Sequence, residues 1–179
     1  MVNRLSPREV FVTGHARAGA AEFAIAVRVA HDHPLWSDQR THRHDPAVVI
    51  EAFRQAFVVV RHEYLGVPRG TPTAVQQLKL AVQELPAFRI DGTTPLQGVI
   101  KVRVTRTGDT LDVTGDFFVG PVPAMTLSFG SILFPRDSYR EIRDYPRFRR
   151  TAEPPNRAER RGPGRSDPSW SDGTTGATW

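Results

Sequence analysis

The chain has no cysteine, only two lysines among 24 basic residues, and no long apolar segment. The lack of cysteine excludes a disulfide scaffold, a thiolate nucleophile and sulfur ligands for zinc, and it is typical of a reducing cytoplasm. The apolar runs, such as residues 56–60, are far shorter than the ~20 residues of a membrane helix. The N-terminal residues also lack the apolar segment of a signal peptide. We therefore expect a cytoplasmic protein that does not bind a membrane.

The net charge of +5 is spread unevenly over the 179 residues. Residues 146–179 contain seven arginines and four carboxylates, so this stretch carries three of the five net charges. This stretch is rich in Pro and Gly and has few apolar side chains. Burying so few apolar side chains cannot offset the entropy cost of ordering the backbone. We predict a folded domain over residues 1–145 and a disordered tail over residues 146–179. Because the folded part is nearly neutral, we do not expect nucleic-acid binding.

A two-residue alternation of apolar and polar side chains predicts six strands, joined by short links that favour antiparallel pairing. The alternating stretches are residues 9–18, 22–31, 75–85, 96–105, 110–119 and 124–134. Residues 107–109 suit a hairpin turn, and Gly120-Pro121 separates the last two strands. Residues 31–44 are polar and are predicted to form a loop.

One helix is predicted between the second and third strands. Asp45 suits a cap, Pro46 suits the first helical position, and Gly66 marks the end. Apolar side chains lie on nearly all sides of this helix, which indicates a helix buried nearly all round. An antiparallel sheet wrapped around one buried helix is an α+β arrangement, the hotdog fold. A single helix leaves sheet edges and apolar surface uncovered, so we predict a dimer of two such domains, a double hotdog.

Three polar residues interrupt this apolar helix, namely Glu51, Arg54 and Gln55. Their spacing of three and four residues brings all three head groups to one side of the helix. Burying a carboxylate is costly unless it is paired or used in chemistry. Two interpretations remain open, a structural ion pair between Glu51 and Arg54 and a catalytic carboxylate.

The polar loop is rich in imidazoles and carboxylates. Four histidines and three aspartates lie in or beside it: His31, His33, His42, His44, Asp32, Asp38 and Asp45. Such side chains can hold a divalent metal, but their spacing matches no familiar ligand pattern. We therefore expect no metal site and no redox cofactor.

The segment His33-Pro34, followed by residues 45–56 (Asp-Pro-Ala-Val-Val-Ile-Glu-Ala-Phe-Arg-Gln-Ala), resembles the A-factor biosynthesis hotdog family. Residues 8–14, 66–68 and 139–143 resemble it as well, so the resemblance spans roughly residues 2–145. More distantly, the pattern is similar to hotdog 3-hydroxyacyl-carrier-protein dehydratases, in which a histidine precedes a helix that bears a catalytic acid. Synthases of the A-factor family usually carry two hotdog repeats, whereas this sequence has one. The family's opening Val-His-Lys/Arg reads Val2-Asn3-Arg4 here.

The resemblance implies an acyltransferase of secondary metabolism. It would move a 3-oxoacyl group from a thioester of acyl carrier protein or coenzyme A to a hydroxyl of glycerone phosphate, on the way to γ-butyrolactone signals. The implied catalytic residues are Glu51 as general base, His33 as a second acid–base group and Gln55 as a hydrogen-bond partner of the substrate carbonyl. For substrate binding we expect Arg54 at a phosphate or at Glu51, the amides of Ala47 and Val48 at an oxyanion, and Phe53 and Phe57 along an acyl tunnel.

Two other reactions and one non-catalytic role stay open at this point. In a 3-hydroxyacyl-thioester dehydratase, His33 would remove the α-proton and Glu51 would protonate the departing hydroxyl. In a thioesterase, Glu51 would activate water. A lone hotdog domain is also compatible with an acyl-binding partner subunit that pairs with another hotdog chain.

Overall fold

The main sheet has six antiparallel strands in the order β1-β2-β6-β7-β8-β5, within the part of the chain that this computed structural model describes, residues 6–38, 40–135 and 137–138. The strands are β1 (Val12–Arg17), β2 (Glu22–Val29), β5 (Thr73–Val82), β6 (Leu96–Thr107), β7 (Thr110–Val119) and β8 (Val122–Leu133). Two very short strands, β3 (Ser37–Asp38) and β4 (Arg43–His44), pair with each other. The predicted tail, residues 146–179, lies outside the described residues.

The helix α1 (Ala47–Val59) continues into a π-helical turn, Val60–Tyr64. The Asp45 side chain accepts a hydrogen bond from the Ala47 amide at 2.8 Å, and Gly66 has a φ of 64° just beyond the last turn. A positive φ is readily adopted by glycine, which explains why the helix stops there. The predicted helix and its end at Gly66 are confirmed, whereas Pro46 precedes the first helical residue, Ala47, instead of occupying that position. No helix among the described residues is long and apolar enough to cross a membrane.

The core lies between α1 and the inner face of the sheet. Phe23, Ile25, Val27 and Val29 of β2 are each at most 3% exposed, as the alternation predicts. The rings of Phe53 and Phe57 on α1 pack edge-on against Phe129 of β8, with ring centroids 5.3 and 5.0 Å apart. An antiparallel sheet packed on one helix is the predicted hotdog arrangement.

Two predicted strand ends were wrong by three residues, and proline explains both of them. Residues 7–9 form a 3₁₀ turn, so β1 begins at Val12 instead of residue 9. Residues 85–88 form a second 3₁₀ turn, so β5 ends at Val82. Pro7 and Pro86 lie at the start of these turns, where a residue without an amide proton is tolerated. The loop at residues 31–44 also contains the β3–β4 hairpin that its polar composition conceals.

The prediction that α1 is buried nearly all round was also wrong. An open stripe of the helix stays partly or largely accessible, and it consists of Ile50, Glu51, Arg54, Val58 and Arg61. The sheet covers only the opposite side of the helix. The domain does not bury this stripe, and Glu51, Arg54 and Arg61 can therefore lie on it.

Strand β5 presents an uncovered apolar surface beside the open stripe. Val75, Leu78, Leu80 and Val82, which we call the β5 strip, are 58, 43, 48 and 40% exposed. Their partners on β8 are Ser131, Phe129, Leu127 and Met125, all buried on the inner face of the sheet. The β5 strip therefore belongs to the same inner face, at an edge that α1 does not reach.

Close packing of α1 on β7 makes one glycine critical for stability. A Cβ added at Gly115 would lie 2.3 Å from the ring of Phe53, whereas one at Gly14 would lie 3.8 Å from Ala26. We expect Gly115→Ala to lower the free energy of unfolding by about 1–3 kcal/mol, since overpacking displaces a buried ring. Urea denaturation measures this, with Gly14→Ala as the matched control. Equal stability of the two variants would contradict this packing.

Candidate functional site

The predicted cluster on α1 is assembled as its spacing indicates. Arg54 donates two parallel hydrogen bonds to Glu51, from Nε to Oε2 and from Nη2 to Oε1, both at 2.8 Å. Gln55 Nε2 donates a third to Glu51 Oε1 at 2.9 Å. The bond to Glu51 raises the pKa of Arg54, and the Glu51 side chain is only 14% exposed. The carboxylate is thus held in one orientation as an anion.

Gln55 connects this carboxylate to the N-terminal segment. It is completely buried, its Oε1 accepts a hydrogen bond from the Phe11 amide at 2.9 Å, and its Nε2 also donates to the Glu9 carbonyl at 2.6 Å. A carboxamide has two protons, and both are used within the chain. The expected hydrogen bond from Gln55 to a substrate carbonyl therefore does not fit this geometry. Gln55 is a positioning residue for Glu51.

A small cavity adjoins Glu51. It has a volume of about 50 Å³ and is lined by Glu9, Phe11, Leu35, Trp36 and Glu51. Such a space suits one or two water molecules, whereas pockets for organic ligands measure about 300 Å³ or more. A single domain therefore encloses no space for an organic ligand at this cavity beside Glu51.

The expected acyl tunnel past Phe53 and Phe57 does not match this cavity. Neither ring lines it, and both belong to the hydrophobic core, at 1 and 5% exposure. Packing against Phe129 explains why both rings are buried. The prediction that they bind substrate was therefore wrong, and both belong to the core.

His33 lies beside the same cavity. It is 4% exposed, its ring contacts Phe11 edge-on at 5.5 Å, and its Nδ1 accepts a hydrogen bond from the Leu35 amide at 3.2 Å. Burial lowers the pKa of His33, and the Arg8 backbone, which hydrogen-bonds the ring, opposes that shift. Because the ring serves backbone groups on two segments, it holds the cavity walls in place. These contacts do not support the expected acid–base role of His33.

His44 is a second buried imidazole, which the sequence singled out only as part of a histidine-rich loop. It is 1% exposed, and its Nδ1 lies 3.1 Å from the Ser37 hydroxyl. Its Nε2 is buried and makes no hydrogen bond with the described residues. Burial lowers the pKa of His44, and the nearby imidazoles of His31 and His33 lower it further. Among the described residues, no three His, Asp or Glu side chains are placed to hold a metal ion.

The amides at the start of α1 are already occupied. The Ala47 amide donates to the Asp45 carboxylate at 2.8 Å, and the Val48 amide donates to the Asp45 carbonyl at 2.9 Å. An oxyanion hole needs donors aimed at the substrate. The expectation that Ala47 and Val48 bind an oxyanion was therefore wrong, because Asp45 caps both.

The family follows from a match over two-thirds of the chain. Residues 1–120 match the model of the A-factor biosynthesis hotdog domain, AfsA. The chain belongs to this family. The predicted resemblance is thereby confirmed, and the Glu51 cluster lies within the matched residues of an AfsA-type hotdog domain.

Curated relatives of this AfsA-type domain are 2-oxo-3-(phosphooxy)propyl 3-oxoalkanoate synthases. The protein of Streptomyces griseus is 37% identical over 70 residues, which are 39% of this chain and 23% of that protein. The protein of Streptomyces coelicolor is 33% identical over 70 residues, 39% of this chain and 22% of that protein. The match therefore covers less than a quarter of these relatives' length.

One solved structure supports the fold. The dehydratase heterocomplex ApeI:P from Xenorhabdus doucetiae superposes with a TM-score of 0.55 at 11% identity, over 78% of this chain and 92% of that one. A probable thioesterase from Bartonella henselae gives a TM-score of 0.49 at 17% identity, over 65% and 93% of the two chains. At such low identity the first likeness establishes the hotdog fold alone.

The two buried imidazoles predict a loss of stability in mild acid. Because the pKa values of His33 and His44 are lowered from 6.5, the unfolded chain binds protons more readily than the folded one. Their contribution to stability is complete above pH 6.5 and is lost as the pH falls towards the lowered pKa values. Urea denaturation between about pH 7 and about pH 5 should show this fall.

The matched control is the double variant His33→Gln/His44→Gln, whose stability should change less over the same pH range. A fall just as steep in the double variant would show that other groups cause it.

Proposed function

We propose that this domain transfers an acyl group from a thioester of acyl carrier protein or coenzyme A to a small hydroxylated acceptor such as glycerone phosphate. The observation that carries the proposal is Glu51, a carboxylate held by Arg54 and Gln55 at the wall of a cavity. The family match and the printed name of the relatives, synthases of a phosphooxypropyl oxoalkanoate ester, support this choice of reaction.

In this mechanism Glu51 is the general base. It accepts the proton of the acceptor hydroxyl while the hydroxyl oxygen attacks the thioester carbonyl carbon. The tetrahedral intermediate then expels the thiolate, and Glu51 returns the proton to the sulfur, so the products are an ester and a free thiol. Arg54 favours the ionised carboxylate between turnovers because its guanidinium is bound to both carboxylate oxygens.

The surrounding residues act by holding the base in place. Gln55 fixes the Glu51 carboxylate against residues 9–11, and His33 braces the Phe11 and Leu35 walls. This arrangement limits the orientations of Glu51, which lowers the entropy cost of reaching the attack geometry. We therefore assign the proton transfer to Glu51 alone.

We propose further that two copies pair through their β5 strips. An edge strand with four apolar side chains 40–58% exposed is prone to pair with another strand, and a second copy would bury it. The pairing would also add a second wall beside the open stripe of α1. A cavity of about 50 Å³ is too small for an acyl substrate, so this second wall is what the reaction requires.

Replacement of the base tests the reaction. Glu51→Gln keeps the size of the side chain but removes the proton acceptor, so we expect at least about a 100-fold loss of ester formation. The assay combines an acyl carrier thioester with glycerone phosphate and detects products by mass spectrometry. Glu22→Gln is the matched control, since Glu22 forms an exposed ion pair with Arg103.

The products separate the alternatives. An ester that requires the acceptor supports transfer, an α,β-unsaturated thioester would indicate dehydration, and a free acid would indicate hydrolysis. Full ester formation by Glu51→Gln would exclude Glu51 as the base.

A charge on the β5 strip tests the pairing. We expect the unmodified protein to elute as a dimer and Leu80→Arg to elute as a monomer, because the partner would have to bury the charge. Size-exclusion chromatography with light scattering measures the mass, and circular dichroism checks the fold. Val99→Arg is the control, since Val99 is 37% exposed beside buried Ile100 and so faces the opposite side of the sheet. A Leu80→Arg dimer would exclude this interface.

A further inference from the structure

The open stripe of α1 carries a second arginine that the acyl-transfer chemistry does not use. Arg61 lies in the π turn that continues α1, seven residues after Arg54, and it is close enough to Arg54 for the two charges to interact. The two guanidinium groups repel each other, and this repulsion adds to burial in lowering the pKa of Arg61.

Arg61 is held at three points by neutral groups. Its Nη1 donates to the Thr73 hydroxyl at 3.0 Å, its Nε donates to His62 Nε2 at 3.2 Å, and its guanidinium lies 5.9 Å from the centre of the Phe57 ring. His62 is fixed in turn, because its Nδ1 lies 2.7 Å from the Val67 carbonyl and must donate to it. Its Nε2 therefore presents a lone pair to Arg61 in the neutral form of the ring.

No carboxylate of the described residues forms an ion pair with Arg61. This contrasts with Arg54, Arg69 and Arg103, each of which pairs with a glutamate. A partly buried cation without a counter-ion is costly, and its cost is recovered when an anion binds. A guanidinium already fixed in place also loses little entropy on binding.

We propose that Arg61, with Thr73 beside it, binds a phosphate group of the substrate. The proposal rests on the proposed function, and it places the phosphate further along the open stripe than Arg54, whose Nε and Nη2 are bound to Glu51. An anion there would also relieve the repulsion between Arg54 and Arg61. The phosphate belongs either to the acceptor or to the carrier of the acyl group, and both present the same chemistry to a guanidinium.

Direct binding measurements test the site without requiring turnover. We expect glycerol 3-phosphate or coenzyme A to bind the unmodified protein in isothermal titration calorimetry, and glycerol and pantetheine, which lack phosphate, to bind much more weakly. Arg61→Gln should weaken the phosphate-dependent binding about 10- to 100-fold, the range for a hydrogen bond to a charged group. Arg61→Lys should recover part of it, because the charge is retained. If Arg61→Gln weakens the binding of glycerol 3-phosphate, the phosphate belongs to the acceptor. If it weakens the binding of coenzyme A, the phosphate belongs to the carrier of the acyl group.

Two comparisons keep the test decisive. Arg103→Gln, at an exposed ion pair, should bind as the unmodified protein does. If Arg61→Gln does not fold, Thr73→Val removes one support of the guanidinium and should weaken binding severalfold. Binding that Arg61→Gln and Thr73→Val leave unchanged, or no phosphate-dependent binding at all, would overturn the proposal. If phosphate binding depends on Arg61 but the protein forms no ester, this site is upheld and the proposed reaction is excluded.

Discussion

The hydrogen bonds of one buried carboxamide organise the candidate site. Gln55 accepts from the Phe11 amide, donates to the Glu9 carbonyl, and donates to Glu51. Phe11 is buried, so its amide would lose about 1–3 kcal/mol if it had no hydrogen-bond partner. The same side chain thus anchors the N-terminal segment, holds Glu9 and Phe11 where they line the cavity, and orients the carboxylate. Glu51 is held in one orientation because Gln55, its neighbour on the helix, is completely buried and hydrogen-bonded through both its oxygen and its nitrogen.

The sequence predicted the fold well where burial alternates cleanly between two faces. In β2, β6 and β7 inward residues are buried and outward residues are exposed, so the two-residue period is read directly. At β5 the same period is present, yet its inner face is open because α1 does not extend over that edge. Coverage of a strand depends on the lateral position of a helix, which local periodicity does not encode.

For the site, helix spacing predicted which residues meet but not what each does. Glu51, Arg54 and Gln55 converge because residues three and four apart share a helix face. The roles of Gln55 and His33 depend on backbone groups in residues 8–11, which are distant in sequence from Gln55 and contacted only in the folded chain. The predicted binding roles of Phe53 and Phe57 were wrong because both rings pack against Phe129 of the sheet. The helical pattern alone does not show this contact. His44 had a weak signal, its place directly before the Asp45 cap, and nothing in the sequence shows that it is buried.

The π turn at Val60–Tyr64 separates Arg61 from the regular α-helical part of the helix. This wide turn sets the direction of Arg61 relative to Thr73, whereas Glu51 lies in the regular α-helical part before it. Each helical residue contributes a rotation of about 100°, so deleting one residue in the turn would swing Arg61 away from β5 and leave the carboxylate where it is. A change of length at this position would therefore alter the surroundings of Arg61 while keeping the Glu51 cluster intact.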